Sequence, residues 1–304
     1  MKIKPFILFM AALLLCFGTL SCKQSDEPTA TFKTNTYVAD ATNNDIPVST
    51  SLSCPWTVNG FENSQAEKEK TVHLCGKEYT GTYTHSAHNF YTSYATDYYQ
   101  TIDDIIFGVH CQTGALVELN VMNKFFYETE SNFSVLENAE EYATAYATEI
   151  ASTFIDLSSY TCRVTFYDDH LAQDEHAVDW YYVTFVKYIN GWETMDCVTI
   201  RITAKGRFAS FLAADIGAFD GFSHPDGNKE TIDADTETLL NQIAQSSKVT
   251  LAAHNLKDRF LALTPNGTYV ICSKITVQWK ATDGLEYSAG YTVISEVGSK
   301  QPSP

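Results

Sequence analysis

The sequence is short of positive charge. Its 304 residues carry 20 Lys and Arg against 37 Asp and Glu, which leaves a formal net charge of −17 at pH 7. Nucleic-acid affinity comes largely from Lys and Arg displacing phosphate counterions, so so acidic a chain is a poor partner for nucleic acid. Closely paired cysteines are missing as well. With no C-x-x-C in the chain, a zinc ribbon is excluded. There is no H-E-x-x-H and no phosphate-cradling glycine loop, and no motif calls for a cofactor or a resident metal. Long apolar runs are scarce too. The unbroken one, Phe6 to Phe17, is 12 residues long, short of the roughly 18 that span a bilayer as a helix.

What surrounds that run is informative. Lys2 and Lys4 precede it and Gly18-Thr19-Leu20-Ser21-Cys22 follows it, the order of a secretory signal over residues 1–21. Leu20-Ser21-Cys22 resembles a bacterial lipobox, which makes Cys22 the lipidated first residue of an extracytoplasmic protein anchored to the cell membrane or cell surface; plain cleavage after Ser21 suits the same residues. The polar, Thr-rich and Asn-rich stretch that follows, residues 22–53, reads as a flexible tether. Six cysteines then remain. Cys111, Cys162, Cys197 and Cys272 lie in strand-like text and are expected as small core residues. Cys54 and Cys75 are a possible pair.

From Lys70 onward the text is strand-like, and 44 % hydrophobic and 13 % aromatic residues suffice for a packed core. Residues 70–122 read as an antiparallel meander of about four strands, including a hairpin of Ile105 to Val109 and Ala115 to Leu119 around Gln112-Thr113-Gly114. The period changes over 134–156. There Ser134 and Glu137 form a capping box, and Ala139, Tyr142, Ala143, Tyr146, Ile150 and Phe154 recur at helical steps. Strands resume with Cys162 to Tyr167 and with Trp180 to Ile189. Asn190-Gly191 then tolerates positive φ at both positions and turns the chain into Val198, Ile200 and Ile202. A second helix is expected around Leu239, Leu240, Ile243 and Ala244, opened by Asp233 and Asp235. Further strands follow, clearest where Tyr269, Ile271, Ser273, Ile275, Val277 and Trp279 alternate. These runs give an α+β class, antiparallel sheets each packed by a single helix, arranged as a first unit over 54–214 and a second over 215–304.

Tyr181-x-Val183-x-Phe185, Asn190-Gly191, Val198-x-Ile200-x-Ile202 and Gly206-x-Phe208 resemble a PepSY module, and Phe107-x-Val109-x-x-x-Thr113-Gly114-x-Leu116 is similar to the hairpin that closes such modules. The resemblance implies two PepSY-like units and a non-enzymatic exported lipoprotein. It implies a partner among exported proteins, with a secreted peptidase bound and inhibited or regulated. The family has no active-site residue to carry over. The hairpin residues Trp180, Tyr182, Asn190, Gly191 and Trp192 are the candidate binding surface.

Other constellations are weaker. Asp168-Asp169-His170 and Asp174-Glu175-His176 bracket a loop in which oxygens and imidazoles suit a divalent ion, although a hydrated acidic loop explains them equally. His85-x-x-His88 and His73-x-Cys75 have loosely metal-like spacing. Asp215, Asp220 and Asp226 lie in a Gly-rich linker, and Gly221 to Pro225 places Ser223 in an incomplete hydrolase elbow. Tyr91, Tyr94, Tyr98 and Tyr99, with Trp180, Tyr181 and Tyr182, suit a carbohydrate or peptide platform, against the ordinary reading of aromatic packing across strands. The alternative function is therefore a glycan-binding or solute-binding surface lipoprotein.

Overall fold

A computed structural model describes residues 36–42, 53–56, 62–121, 136–167, 179–222 and 229–299. All belong to one compact unit, Phe32–Pro304. The signal segment, Cys22, Ser134, the Asp168–His176 loop, Ser223 and Asp226 lie outside the described residues.

Strands dominate. A first edge strand, β1 (Thr36–Thr42), is followed by the meander β2 (Glu69–Leu74), β3 (Lys77–His88), β4 (Ala95–Thr101), β5 (Ile106–His110) and β6 (Leu116–Asn120). Helix α1 (Ala139–Ala151) leads into β7 (Thr161–Tyr167), β8 (Trp180–Ile189), β9 (Trp192–Thr203) and β10 (Phe208–Ala214). Helix α2 (Lys229–Ser246) then precedes β11 (Thr250–Leu263), β12 (Thr268–Lys280) and β13 (Glu286–Ser299).

The fold corrects the expectation of two separate helix-on-sheet modules. All 13 described strands join one sheet, in the order β1-β13-β12-β11-β9-β10-β6-β5-β4-β3-β2, with β8 on β9 and β7 on β8. The branch is at β9. Its long edge pairs with β8 from Trp192 to Thr203, while β10 takes Cys197 to Ile202 and β11 meets it at Thr194 through Leu261. That last contact is parallel and every other described pair is antiparallel, so the sheet is mixed. The physical reason for continuity is apolar burial across the expected boundary at residue 214. Trp192, at the turn end of β9, is 6 % exposed and packs in one cluster with Phe219, Ile232, Leu261, Tyr269, Ile271 and Val297. A two-module chain would leave that indole in water.

Several local expectations also shift. Thr36–Thr42, inside the stretch read as a tether, is β1: it pairs with β13 and buries Val38 and Ala39. The helix opens at Ala139 behind Asn138, which makes no side-chain cap bond. Its buried face is Ala139, Ala143, Ala147, Ile150 and Ala151, small residues that let the backbone approach the sheet. Tyr142, expected on that face, is 45 % exposed. The Asn190-Gly191 turn is present as read, with φ of 50° and 81° and Ile189 paired to Trp192.

Helix α1 covers a core that includes Phe107, Leu119, Val183, Phe185, Val198, Ile200, Ile202 and Phe211. Helix α2 covers Ile275, Val277, Trp279, Ala289, Tyr291 and Val293. No described helix is long and apolar enough to cross a membrane.

Candidate functional site

Side chains alternate across a strand, so the residues between those packed on α1 form the opposite, distal face of the sheet. One row across it follows from the register. Tyr98 opposes Gly108, Gly108 opposes Glu118, Glu118 opposes Leu212, Leu212 opposes Thr199 and Thr199 opposes Thr184. The neighbouring row holds Ile106, Asn120, Ser210, Arg201 and Tyr182. Leu212 and Ile106 are each 41 % exposed, so solvent reaches both rows.

Gly108 shapes the centre of this face. A Cβ there would lie 2.5 Å from Thr96 Cγ2, 3.3 Å from Tyr98 Cε1 and 3.4 Å from Glu118 Cβ. The missing side chain lets the Tyr98 ring cross β5. The Tyr98 hydroxyl donates to Glu118 Oε2 at 3.1 Å, and Asn89 Nδ2 donates to the same hydroxyl at 2.8 Å. His85 stacks on the Tyr98 ring with centroids 4.9 Å apart and planes 16° from parallel. Burial pushes the Tyr98 phenol up, with the Glu118 charge acting in the same direction. Burial also pushes the Glu118 carboxyl up, against the downward pull of the Tyr98 hydrogen bond.

That raised carboxyl has a signed consequence. A Glu that holds its proton more tightly folded than unfolded adds stability at pH below about 4, the unfolded range, and loses it as pH rises through the higher folded value. Glu118→Gln is neutral throughout. The variant should therefore gain thermal stability relative to the parent between pH 4 and pH 7, and an unchanged difference in melting temperature at the two pH values would refute the assignment.

At the β8–β9 end of the face, the Arg201 guanidinium lies 4.5 Å from the Tyr182 ring centroid and 5.6 Å from that of Trp180. Thr184 and Thr199 share a cross-strand hydrogen bond of 3.1 Å. Arg163 is committed to Glu193 through a fork of 3.0 and 3.1 Å.

The residues expected to form one surface are split. Trp180 and Tyr182 begin β8 and join the Arg201 group, with Trp180 itself buried. Asn190 and Gly191 occupy the distant turn, and Trp192 is in the core beyond it. Tyr98 does stand on the distal face, whereas Tyr99 points the other way and stacks on Phe107 in the α1 core. Tyr91, at φ 70°, is an anchor between the β3–β4 loop and β11: its ring packs edge-on to Trp56 and Phe260. Glu118, Arg201 and Asn89 were not singled out in the sequence, and His85 was singled out only for its loosely metal-like spacing to His88. The available signal was Gly108 itself, a glycine inside an alternating strand, which marks a close approach.

Other sequence candidates take structural places. His85 and His88, three residues apart in β3, point to opposite faces and make no metal pair. His73 Nε2 faces Glu78 Oε2 at 3.1 Å across the β2–β3 turn. Among the described residues no group of three potential metal ligands occurs. Cys75, Cys111, Cys162, Cys197 and Cys272 are free thiols, and Cys54 Sγ donates to the Trp56 carbonyl rather than bonding to Cys75. Cys272 is buried as expected, Cys111 and Cys197 are half-buried, and Cys162 is exposed on β7. Burial pushes the Cys197 thiol up to about 12, with nearby Asp196 and Glu193 acting in the same direction, so it is unreactive at neutral pH.

A second polar cluster centres on one fully buried carboxylate. Asp196 is 0 % exposed. It accepts from the Tyr160 hydroxyl and from Gly217 N at 3.0 Å, with Lys187 Nζ 3.7 Å away. Burial pushes its carboxyl up, against the pull of those hydrogen bonds and the Lys187 charge. Burial alone would lower Lys187, but its bond to Asp220 and the Asp196 charge carry it above its ordinary value. Asp215 is taken up separately, accepting from Ser93 N at 3.0 Å. Asp215 and Asp220 thus have different partners and different work. No substrate reaches Asp196, and the cluster fastens the linker after β10 to the β8–β9 hairpin.

No protein-family model and no curated protein matches the chain. Among solved structures, the green fluorescent protein of Branchiostoma lanceolatum is similar over 76 % of this chain and 78 % of that one, at 11 % identity and a TM-score of 0.11, a likeness that carries no argument.

Proposed function

We propose that the chain is a non-catalytic, saccharide-binding protein of the cell envelope, exported by its first 21 residues and held at the membrane through Cys22. The observation that carries the binding reading is the distal face. There aromatic rings, hydroxyls, amides and two exposed aliphatic side chains are interleaved on a rigid sheet, with Tyr98 and Arg201 held in place by their neighbours. Saccharides present alternating apolar C–H faces and hydroxyls, which such a surface matches. Prior fixing of the side chains lowers the entropy lost on binding.

A second reading, a partner among exported proteins such as a peptidase, draws on β7. Among the described residues this strand pairs with β8 alone, and Phe166 and Tyr167 are each 49 % exposed. An edge of this kind accepts an added strand. One experiment separates the two. The full chain is tested on a glycan array and, in parallel, for saturable inhibition of the host's secreted peptidases. Saccharide binding that falls about tenfold in Tyr98→Ala, with the melting temperature held, supports the first reading. Inhibition without glycan binding replaces it with the second.

A further inference from the structure

The order of pairing ends at β1, β2 and β7 among the described strands. Two of these ends are blunted: β1 is kinked by a bulge between Val38 and Asp40, and β2 carries Glu69, Lys70 and His73, devices that discourage a further strand. β7 has neither device. Its seven residues pair with β8 in unbroken register and include no acid, and its one cation, Arg163, is forked onto Glu193. Every second residue of such a strand turns its N–H and C=O outward.

On the α1 side this edge is a ledge beside a helix. Cys162, Val164 and Phe166 oppose Phe185, Val183 and Tyr181, so they share the face on which Val183 and Phe185 join the α1 core. The helix packs chiefly on β8 and β9, which leaves β7 outside its cover. Phe166 is 49 % exposed, and its ring lies 5.1 Å from that of Tyr181. Tyr181 also lines a cleft of about 670 Å³ whose other wall is the start of α1, with Glu137, Glu140, Glu141 and Thr144. The three glutamates are exposed, and none is in an ion pair with another described residue.

That combination selects a cation. Aromatic faces and carboxylates both attract Lys or Arg, and the −17 of the whole chain draws a basic partner in from a distance. The apolar stem of either residue lies along a ring while its charge reaches toward the helix. In an added strand, cations at every second position all fall on the α1 side.

We propose that β7 takes up an extended segment of a partner protein that carries Lys or Arg at alternate positions, its cations lying on Phe166 and Tyr181 beside Glu137, Glu140 and Glu141. The inference rests on the partner reading of the β7 edge and is independent of saccharide binding on the distal face. Its test is calorimetry of the full chain with three synthetic peptides of the length of β7, in which Val alternates with Lys, with Gln or with Glu. The Lys peptide should bind at least tenfold more tightly than the Gln peptide, with the Glu peptide weakest, and added salt should shrink the difference. The exposed-site variant Glu137→Gln, Glu140→Gln, Glu141→Gln should bring the Lys peptide down to the level of the Gln peptide at a nearly unchanged melting temperature. Methylating the Lys peptide at alternate backbone nitrogens blocks one edge of it at a time, so one methylated form should lose binding and the other keep it. Equal affinity for the Lys and Gln peptides overturns the choice of a basic partner and leaves strand addition at β7 standing. A Lys preference that survives both methylated forms is charge attraction without strand addition, and it overturns the proposal. Failure of all three peptides to bind, or a dimer in sedimentation that the Lys peptide does not dissolve, overturns the proposal together with the partner reading.

Discussion

Asp196→Ala will destabilise the protein by about 3–5 kcal/mol, the range expected when one partner of a buried, hydrogen-bonded charge group is removed. The carboxylate is 0 % exposed, and three chain segments converge on it: Tyr160 after α1, Lys187 in β8 and Gly217 after β10. Alanine takes the acceptor from the half-buried Tyr160 phenol and Gly217 N–H, and each such group left unpaired costs about 1–3 kcal/mol. Asp196→Asn keeps one acceptor oxygen and should lose less, about 1–2 kcal/mol. Urea unfolding measures both variants: the midpoint should fall in that order with little change in slope. A loss below about 1 kcal/mol for alanine would show that Tyr160 and Gly217 find other partners, and the cluster would not be what fastens the linker.

Local elements were legible where one period or one dipeptide carries the information. Asn190-Gly191 marked its turn because both residues must reach positive φ. The alternation from Tyr269 to Trp279 marked β12, whose odd-numbered residues Ile275, Val277 and Trp279 pack on α2. Helix α1 was legible as a helix, but its partner face was not, because its four buried alanines carry little hydropathy contrast with exposed Tyr142. The architecture failed at long range. A single parallel bridge from Thr194 to Leu261 joins the two halves of the sheet, and no local pattern reports a contact 67 residues distant. The same holds for β1, six of whose seven residues pair with β13, more than 240 positions further along the chain. At the candidate site the aromatic residues were visible as a class, and only register could sort them: Tyr98 onto the distal face, Tyr99 into the α1 core, Trp192 into the junction. Arg201 was visible as a residue opposite the buried Ile200 and Ile202, but the Trp180 and Tyr182 rings it packs against come from β8, through pairing.

Gly108→Ala should reverse the usual sign of a glycine replacement. At a strand position whose backbone any residue can adopt, Gly→Ala commonly stabilises by about 0.4–1 kcal/mol through the unfolded state. Here the new methyl would arrive 2.5 Å from Thr96 Cγ2, and Thr96 is 0 % exposed with no room to withdraw. Overpacking of this kind costs about 1–3 kcal/mol. The same methyl presses on Tyr98 Cε1 at 3.3 Å, pushing the ring away from the hydroxyl-to-carboxylate contact with Glu118. Saccharide affinity should therefore drop at least tenfold even at temperatures where the variant is folded. Calorimetric melting and binding on the same sample separate the two effects. A variant as stable as the parent would mean that β5 and β6 shift apart at no cost. Undiminished binding in a destabilised variant would mean instead that the Tyr98 and Glu118 contact does not organise the site, and the ligand surface would then have to be sought around Arg201 alone.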